Sequence, residues 1–170
     1  MTLEWIDVAD NAVKIGLGSL LTLAGGGVTL KLTQRHEFKK EYITQKRKDY
    51  DIKAERYINF LSGGRKLMQK NMLAAFRPDG EDYIEFTRQH EIIAITSDKS
   101  VTRELAFNAY ISVSEASSRS TAERIERKPF RDKAFDDLGI FQKHVNEELK
   151  LEKAAIDDLV RRYSWWHRLR

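Results

Sequence analysis

The chain has 170 residues, 41% of them hydrophobic and 33% charged, with a formal charge of +4, two prolines and no cysteine. That length suits one ordinary domain rather than two full-sized ones, and the apolar content is too high for a disordered chain. The absence of cysteine excludes a disulfide scaffold, a Cys-ligated metal or iron–sulfur site, and thiol catalysis.

The first feature in chain order is an uncharged window. Ile15 to Leu30 reads IGLGSLLTLAGGGVTL, with Lys14 and Lys31 as its brackets. Taken from Val13 to Leu32, it makes a helix about 30 Å long, which matches the hydrocarbon core of a bilayer because lysines at the ends snorkel to the headgroups. Its nine Leu, Ile and Val residues favour insertion by roughly 3 to 5 kcal/mol, which five glycines, one Ser and two Thr largely offset. Insertion is therefore marginal. Gly18, Thr22 and Gly26 are spaced by four, a pattern that lets membrane helices approach closely and pairs a weak inserter with copies of itself.

Other readings of the window fit less well. A signal peptide starts with a basic region, whereas Met1 to Asp10 holds Glu4, Asp7 and Asp10 and no Lys or Arg. A buried helix in a water-soluble protein avoids Gly25 to Gly27, each of which costs close to ~1 kcal/mol against Ala. Gly16-x-Gly18 starts a dinucleotide fingerprint, but Leu21 stands at the third glycine position.

Flanking charge sets the expected orientation. Lys31, Arg35, Lys39, Lys40, Lys46, Arg47 and Lys48 follow the window against only Glu37 and Glu41, while three acids precede it. The positive-inside bias then predicts residues 1–12 as a short extracytoplasmic tail and 13–32 as a single transmembrane helix of the inner membrane. Residues 33–61 follow as a basic juxtamembrane helical stalk, and 62–170 as a cytoplasmic helical bundle. The same seven cations are candidates for contact with anionic lipid headgroups, at about 1 kcal/mol each near the surface. Trp5, ahead of the window, is a candidate interfacial anchor.

The remainder carries helical periodicity and no convincing strand alternation. Gln34 to Leu61 contains neither Gly nor Pro and repeats Phe38, Tyr42, Tyr50, Ala54, Tyr57 and Leu61 at helical spacing. Ser62-Gly63-Gly64 predicts a stop or kink, followed by a short helix from Arg65 to Phe76. Arg77-Pro78-Asp79-Gly80 reads as a turn. A helix from Glu81 to Thr96 follows, although Ile92 to Ile95 also suits a strand. Ser97 or Asp98 is placed as N-cap of a helix running to about Lys128, with Pro129 at the junction. The serine-rich patch from Ser112 to Thr121 reads as the polar face or the small-residue crossing of that helix. The last helix, Asp132 to Trp166, carries Ala134, Leu138, Phe141, Val145, Leu149, Ile156, Leu159, Tyr163 and Trp166 in a seam that skips one turn at Glu152. The fold class is all-α, an antiparallel bundle of four to five helices behind one membrane helix.

No catalytic pattern emerges. His90-Glu91 opens a zincin motif but Ala94 replaces the second His, and His36-Glu37 fails likewise at Lys40. His144 and Glu147, like Glu148 and Glu152, share a helix face and read as solvated. No catalytic residue, metal or cofactor is expected. The C-terminal YSWWHRLR makes Trp165 and Trp166 candidate anchors for lipid, protein or the bundle itself. The sequence thus points to a single-pass, membrane-anchored interaction or assembly protein, forming homo-oligomers and meeting an unknown cytoplasmic protein or ligand. A nucleic-acid partner lacks a recognised module. A soluble binding module whose Gly-rich start packs on a partner is the main alternative, with a membrane-tethered hydrolase behind it.

Overall fold

The computed structural model describes the backbone of residues 2–73, 76–119 and 124–168, and the side chains of 26–27, 29–31, 33–71, 76–119 and 126–164. It is all-helical, with four helices and no strand among the described residues: α1 (Thr2–Leu73), α2 (Glu81–Thr96), α3 (Ser100–Ser118) and α4 (Arg124–Arg168). The chain divides into two compact units, Met1–Gln45 and Lys46–Arg170.

The second unit is a four-helix bundle whose direction is read from its cross-helix pairs. Lys53 of α1 meets Glu148 and Glu152 of α4, while Arg65 meets Gln142, so α1 and α4 run antiparallel. Phe60 faces Phe86, and Lys66 further along α1 meets Asp82 at the start of α2. Tyr83 of α2 reaches Tyr110 and Ser114 of α3, and Thr102 and Ser112 of α3 reach Glu148 and Asp137 of α4. Each helix is therefore antiparallel to the next, joined by short connections.

Aromatic rings fill the middle. Phe60 stacks on Phe86 at 5.0 Å and meets Phe141 edge-on at 5.2 Å, and Tyr57 meets Phe141 edge-on at 5.8 Å. Such pairs add about 0.5–1.5 kcal/mol to the area they bury. Around them lie Leu67, Met68, Ile93, Val113, Leu138 and Val145, with Ala106, Ala109 and Ala134 where helices come close. On α4 the buried positions Ala134, Leu138, Phe141, Val145 and Glu148 advance by four and three, the spacing of a bundle seam.

Several elements differ from their sequence expectation. Ser62-Gly63-Gly64 does not stop α1, which runs on to Leu73 and absorbs the separate helix expected from Arg65. Packing overrides the propensity: a Cβ on Gly64 would lie 3.1 Å from Phe86 and 3.2 Å from Leu138, so the missing side chain is what lets those core residues close on α1. Tyr57 and Phe60 are core residues, so the bundle takes in Lys46 to Leu61, part of the expected stalk. The turn at residues 77–80 is present, closed by Gly80 N–H donating to Arg77 O at 3.0 Å.

Ile92 to Ile95 is helical. Ser97 ends α2 rather than capping α3, its N–H donating to Ile93 O, and α3 starts after Lys99 with no side-chain cap. Helix α3 stops at Ser118, ten residues before the expected Lys128, and α4 takes in Pro129 near its start. Pro129 is the sixth residue of α4, past the first turn, so it removes one N–H from the hydrogen-bond ladder and the helix continues through it. Ser112 and Ser117 of the serine patch are buried, consistent with a small-residue crossing.

Among the described residues no helix is long and apolar enough to cross a membrane. Most of the window from Val13 to Leu32 has side chains outside the described ones.

Candidate functional site

Two groupings of polar side chains stand out, one on each unit. On the first unit, α1 carries Lys31, Arg35, Lys39 and Lys40 exposed, together with two aromatic rings, Phe38 at 69% and Tyr42 at 54% exposure. Large rings usually seek cover, so two of them four residues apart on an exposed helix are notable only because cations flank them. Lys46, Arg47 and Lys48 are also exposed and belong to the bundle unit. Gly26 is exposed, with nothing within 4 Å of an added Cβ. The side chains of Gly18 and Thr22, and those of Trp5, Trp165 and Trp166, lie outside the described residues.

The second grouping lies inside the bundle and escaped the sequence reading. The Glu148 side chain, 4% exposed, is the centre of a cluster drawn from three helices and the α2–α3 connection. It receives Thr102 Oγ1–H at 2.9 Å and Lys53 Nζ at 3.3 Å, with Lys99 Nζ at 3.5 Å. Lys53 also donates to Glu152 at 2.8 Å, and Thr102 itself is fully buried. The expectation that Glu148 and Glu152 form a solvated face is therefore corrected. In the 4-3 seam it is Glu148, not Leu149, that points inward, and Leu149 packs at the margin. The skipped turn at Glu152 was the visible trace of this polar layer.

Electrostatics in the cluster are mutually supporting. Burial acts to raise the Glu148 carboxyl, but the Thr102 and Lys53 hydrogen bonds and the charges of Lys53 and Lys99 together hold it below the ordinary value. Burial likewise acts to lower the Lys53 ammonium, and Glu152 with Glu148 outweighs that and leaves it raised. Both groups are thus held ionised at neutral pH. Burial pushes the Tyr57 phenol up, against a smaller opposing pull from Ser97.

His144 Nε2 lies 3.0 Å from Thr102 Oγ1 and 3.7 Å from Glu148, so a hydroxyl, an imidazole and a carboxylate sit together. Their arrangement does not make a nucleophile. Thr102 donates its proton to Glu148, which leaves its oxygen to accept Nε2–H from His144, and no substrate can reach it. In a catalytic triad the carboxylate orients the opposite ring nitrogen, whereas here both oxygens approach Nε2.

A third polar row binds α2 to α3. Tyr83 and Tyr110 hydroxyls lie 3.3 Å apart, Thr87 joins at 3.4 Å, and His90 stacks on Tyr110 at 4.5 Å. Burial lowers the His90 imidazole, which favours the neutral ring stacked on Tyr110. No group of three or more His, Asp or Glu residues is placed to hold a metal among the described residues. Against known proteins, no family model, curated protein or solved structure matches the chain.

Proposed function

We propose that this chain is a non-catalytic helical interaction and assembly protein held at a membrane by the first unit of α1. The observation that carries this is the uncharged run from Ile15 to Leu30, followed at once by a cluster of cations and preceded by acids. In that reading the segment from Val13 to Leu32 is a single span with its N-terminus outside, and the bundle lies in the cytoplasm beneath the inner membrane. The bundle is the working part: it offers helix faces to a protein partner or to other copies, and its buried polar cluster serves packing. The burial of Thr102 and the mutual satisfaction of Glu148 and Lys53 support a role without chemistry.

Alkaline carbonate washing of membranes from cells making the full chain tests the anchoring. Retention in the pellet is expected. Release into the supernatant would overturn the membrane reading and leave a soluble helical binding module. Mass measurement of the detergent-solubilised chain tests assembly, with a multiple of the chain mass expected and a monomer counting against it.

A further inference from the structure

The seven cations after the apolar window are not equivalent. An α-helix turns about 100° per residue, which places Lys31, Arg35, Phe38, Lys39 and Tyr42 within one arc of about 100°. Glu37 and Glu41 fall on the other side, and Lys40 lies about 100° from Lys39, three residues after Glu37. One side of α1 in the first unit is therefore basic and aromatic without an acid, and the opposite side has mixed charge. Lys31, Arg35, Lys39 and Lys40 are all exposed, so position around the helix is what separates them. Phe38, at 69% exposure, lies at one edge of this arc, about 20° from Lys31.

We infer that α1 emerges from the bilayer leaning to one defined side, with Lys31, Arg35, Phe38 and Lys39 laid against anionic lipid headgroups and Glu37 and Glu41 turned to water. The inference rests on the membrane reading and adds the direction of tilt to it. Helical side chains slant toward the N-terminus of their helix, which here means back toward the apolar run. Lys39 starts about 10 Å beyond Leu32 along the axis, and its long side chain spans much of that distance back toward a headgroup layer about 5–7 Å thick. An ordinary tilt of about 20° toward the basic side closes the rest. Each cation near the surface contributes about a fivefold preference for anionic over neutral lipid. Lean to the opposite side would instead press Glu37 and Glu41 against like charge. A nucleic acid would meet the same cations, but it gives no role to an apolar run adjoining them or to a bare phenylalanine beside them.

The absence of cysteine makes the test direct. Single variants Lys39→Cys and Lys40→Cys each lose one cation and differ by about 1.5 Å in depth. Each is labelled with a fluorophore in the full chain, reconstituted in phosphatidylcholine–phosphatidylserine vesicles that carry a headgroup nitroxide quencher. Quenching at position 39 at least about twofold above that at 40 is expected, with the gap narrowing at high salt and in vesicles of phosphatidylcholine alone. Equal quenching, or stronger quenching at 40, overturns the lean. If the chain rises with the vesicles in flotation while the labels quench equally, the lean fails and the membrane reading stands; if it stays in the dense fraction without them, both fail. Shielding of the label at 39 by a single-stranded oligonucleotide, without any difference in lipid quenching, overturns the inference in favour of a nucleic-acid face.

Discussion

Gly63 and Gly64 are adjacent in the last three turns of α1, and the structure assigns them opposite responses to the same substitution. None of the described residues has a positive φ, so alanine is compatible with the backbone at both. In a helix interior, Gly→Ala stabilises by about 1 kcal/mol. At Gly63 the added Cβ would meet Phe86 Cδ2 at 3.5 Å, an ordinary contact, so most of that gain survives and Gly63→Ala is expected to raise stability by about 0.5–1 kcal/mol. At Gly64 it would meet Phe86 at 3.1 Å and Leu138 at 3.2 Å together. Phe86 is fully buried and stacked on Phe60, which leaves it little room to yield. Overpacking of that kind costs about 1–3 kcal/mol, so Gly64→Ala is expected to come out about 1 kcal/mol less stable than the parent. The pair should therefore differ by about 2 kcal/mol. Urea titration of the full chain, followed by near-ultraviolet circular dichroism of the aromatic core, reads both as shifts in midpoint at constant slope. Equal stabilisation by both would show that Gly64 is not a point of close approach. Equal loss from both would mean that the helix does break there.

Other predictions concern charge. Glu148→Ala removes the carboxylate that accepts from the buried Thr102 hydroxyl and leaves it His144 alone, while Lys53 keeps Glu152, so a loss of about 1–2 kcal/mol in the same titration is expected. Glu148→Leu combined with Thr102→Val removes both sides of the bond and should fall within about 1 kcal/mol of the parent; a double variant as unstable as the single would contradict this. Asp82 is held at about 2 by Lys66 and Lys70, and Glu85 at about 2 by Arg88 and Gln89. Their ordinary values are 3.8 and 4.5, so their contribution is complete above those values and is lost as pH falls through about 2. Glu148, also lowered, acts in the same direction. The urea midpoint should thus decline steadily on acidification below about pH 5, and Asp82→Asn should flatten that decline. Phe60→Ala empties the centre of the ring cluster and should cost about 3–5 kcal/mol, measured as loss of the cooperative transition under mild urea.

What the sequence conveyed was periodicity. Phe141, Val145 and Ile156 announced α4 because 3.6-residue spacing is a property of single residues and needs no partner to be seen. Gly63 and Gly64 misled for the opposite reason. Their role depends on Phe86 and Leu138, which approach from other helices, and a tertiary contact can reverse a local propensity. The end of α3 was misplaced because Pro129 reads as a breaker, whereas α4 carries it as its sixth residue and α3 stops well before it. At the candidate sites, the cations of α1 were legible as a charge excess, and their division between two sides follows from the helix expected there, which the structure carries unbroken through residues 31 to 45.

Glu148 shows where residue-by-residue reading stops. A carboxylate at a seam position beside Leu149 invites the apolar neighbour to be chosen for the core, since a lone buried charge is costly. The cost is removed by groups far away in sequence: Lys53 on α1, Lys99 before α3, and Thr102 within it. Because those three donors come from separate elements, together they favour the axial alignment that brings Glu148 to Thr102. Sliding α4 by one turn, about 5.4 Å, would either carry Glu148 away from Thr102 or bring Glu152, one turn on, toward its place. The apolar seam alone penalises that slip weakly, since its large residues repeat at the same spacing. A polar layer near the α2–α3 connection thus does for alignment what the aromatic centre does for stability, and this division explains why removing Glu148 together with Thr102 should spare the folding energy yet loosen the pairing of α4 with its neighbours.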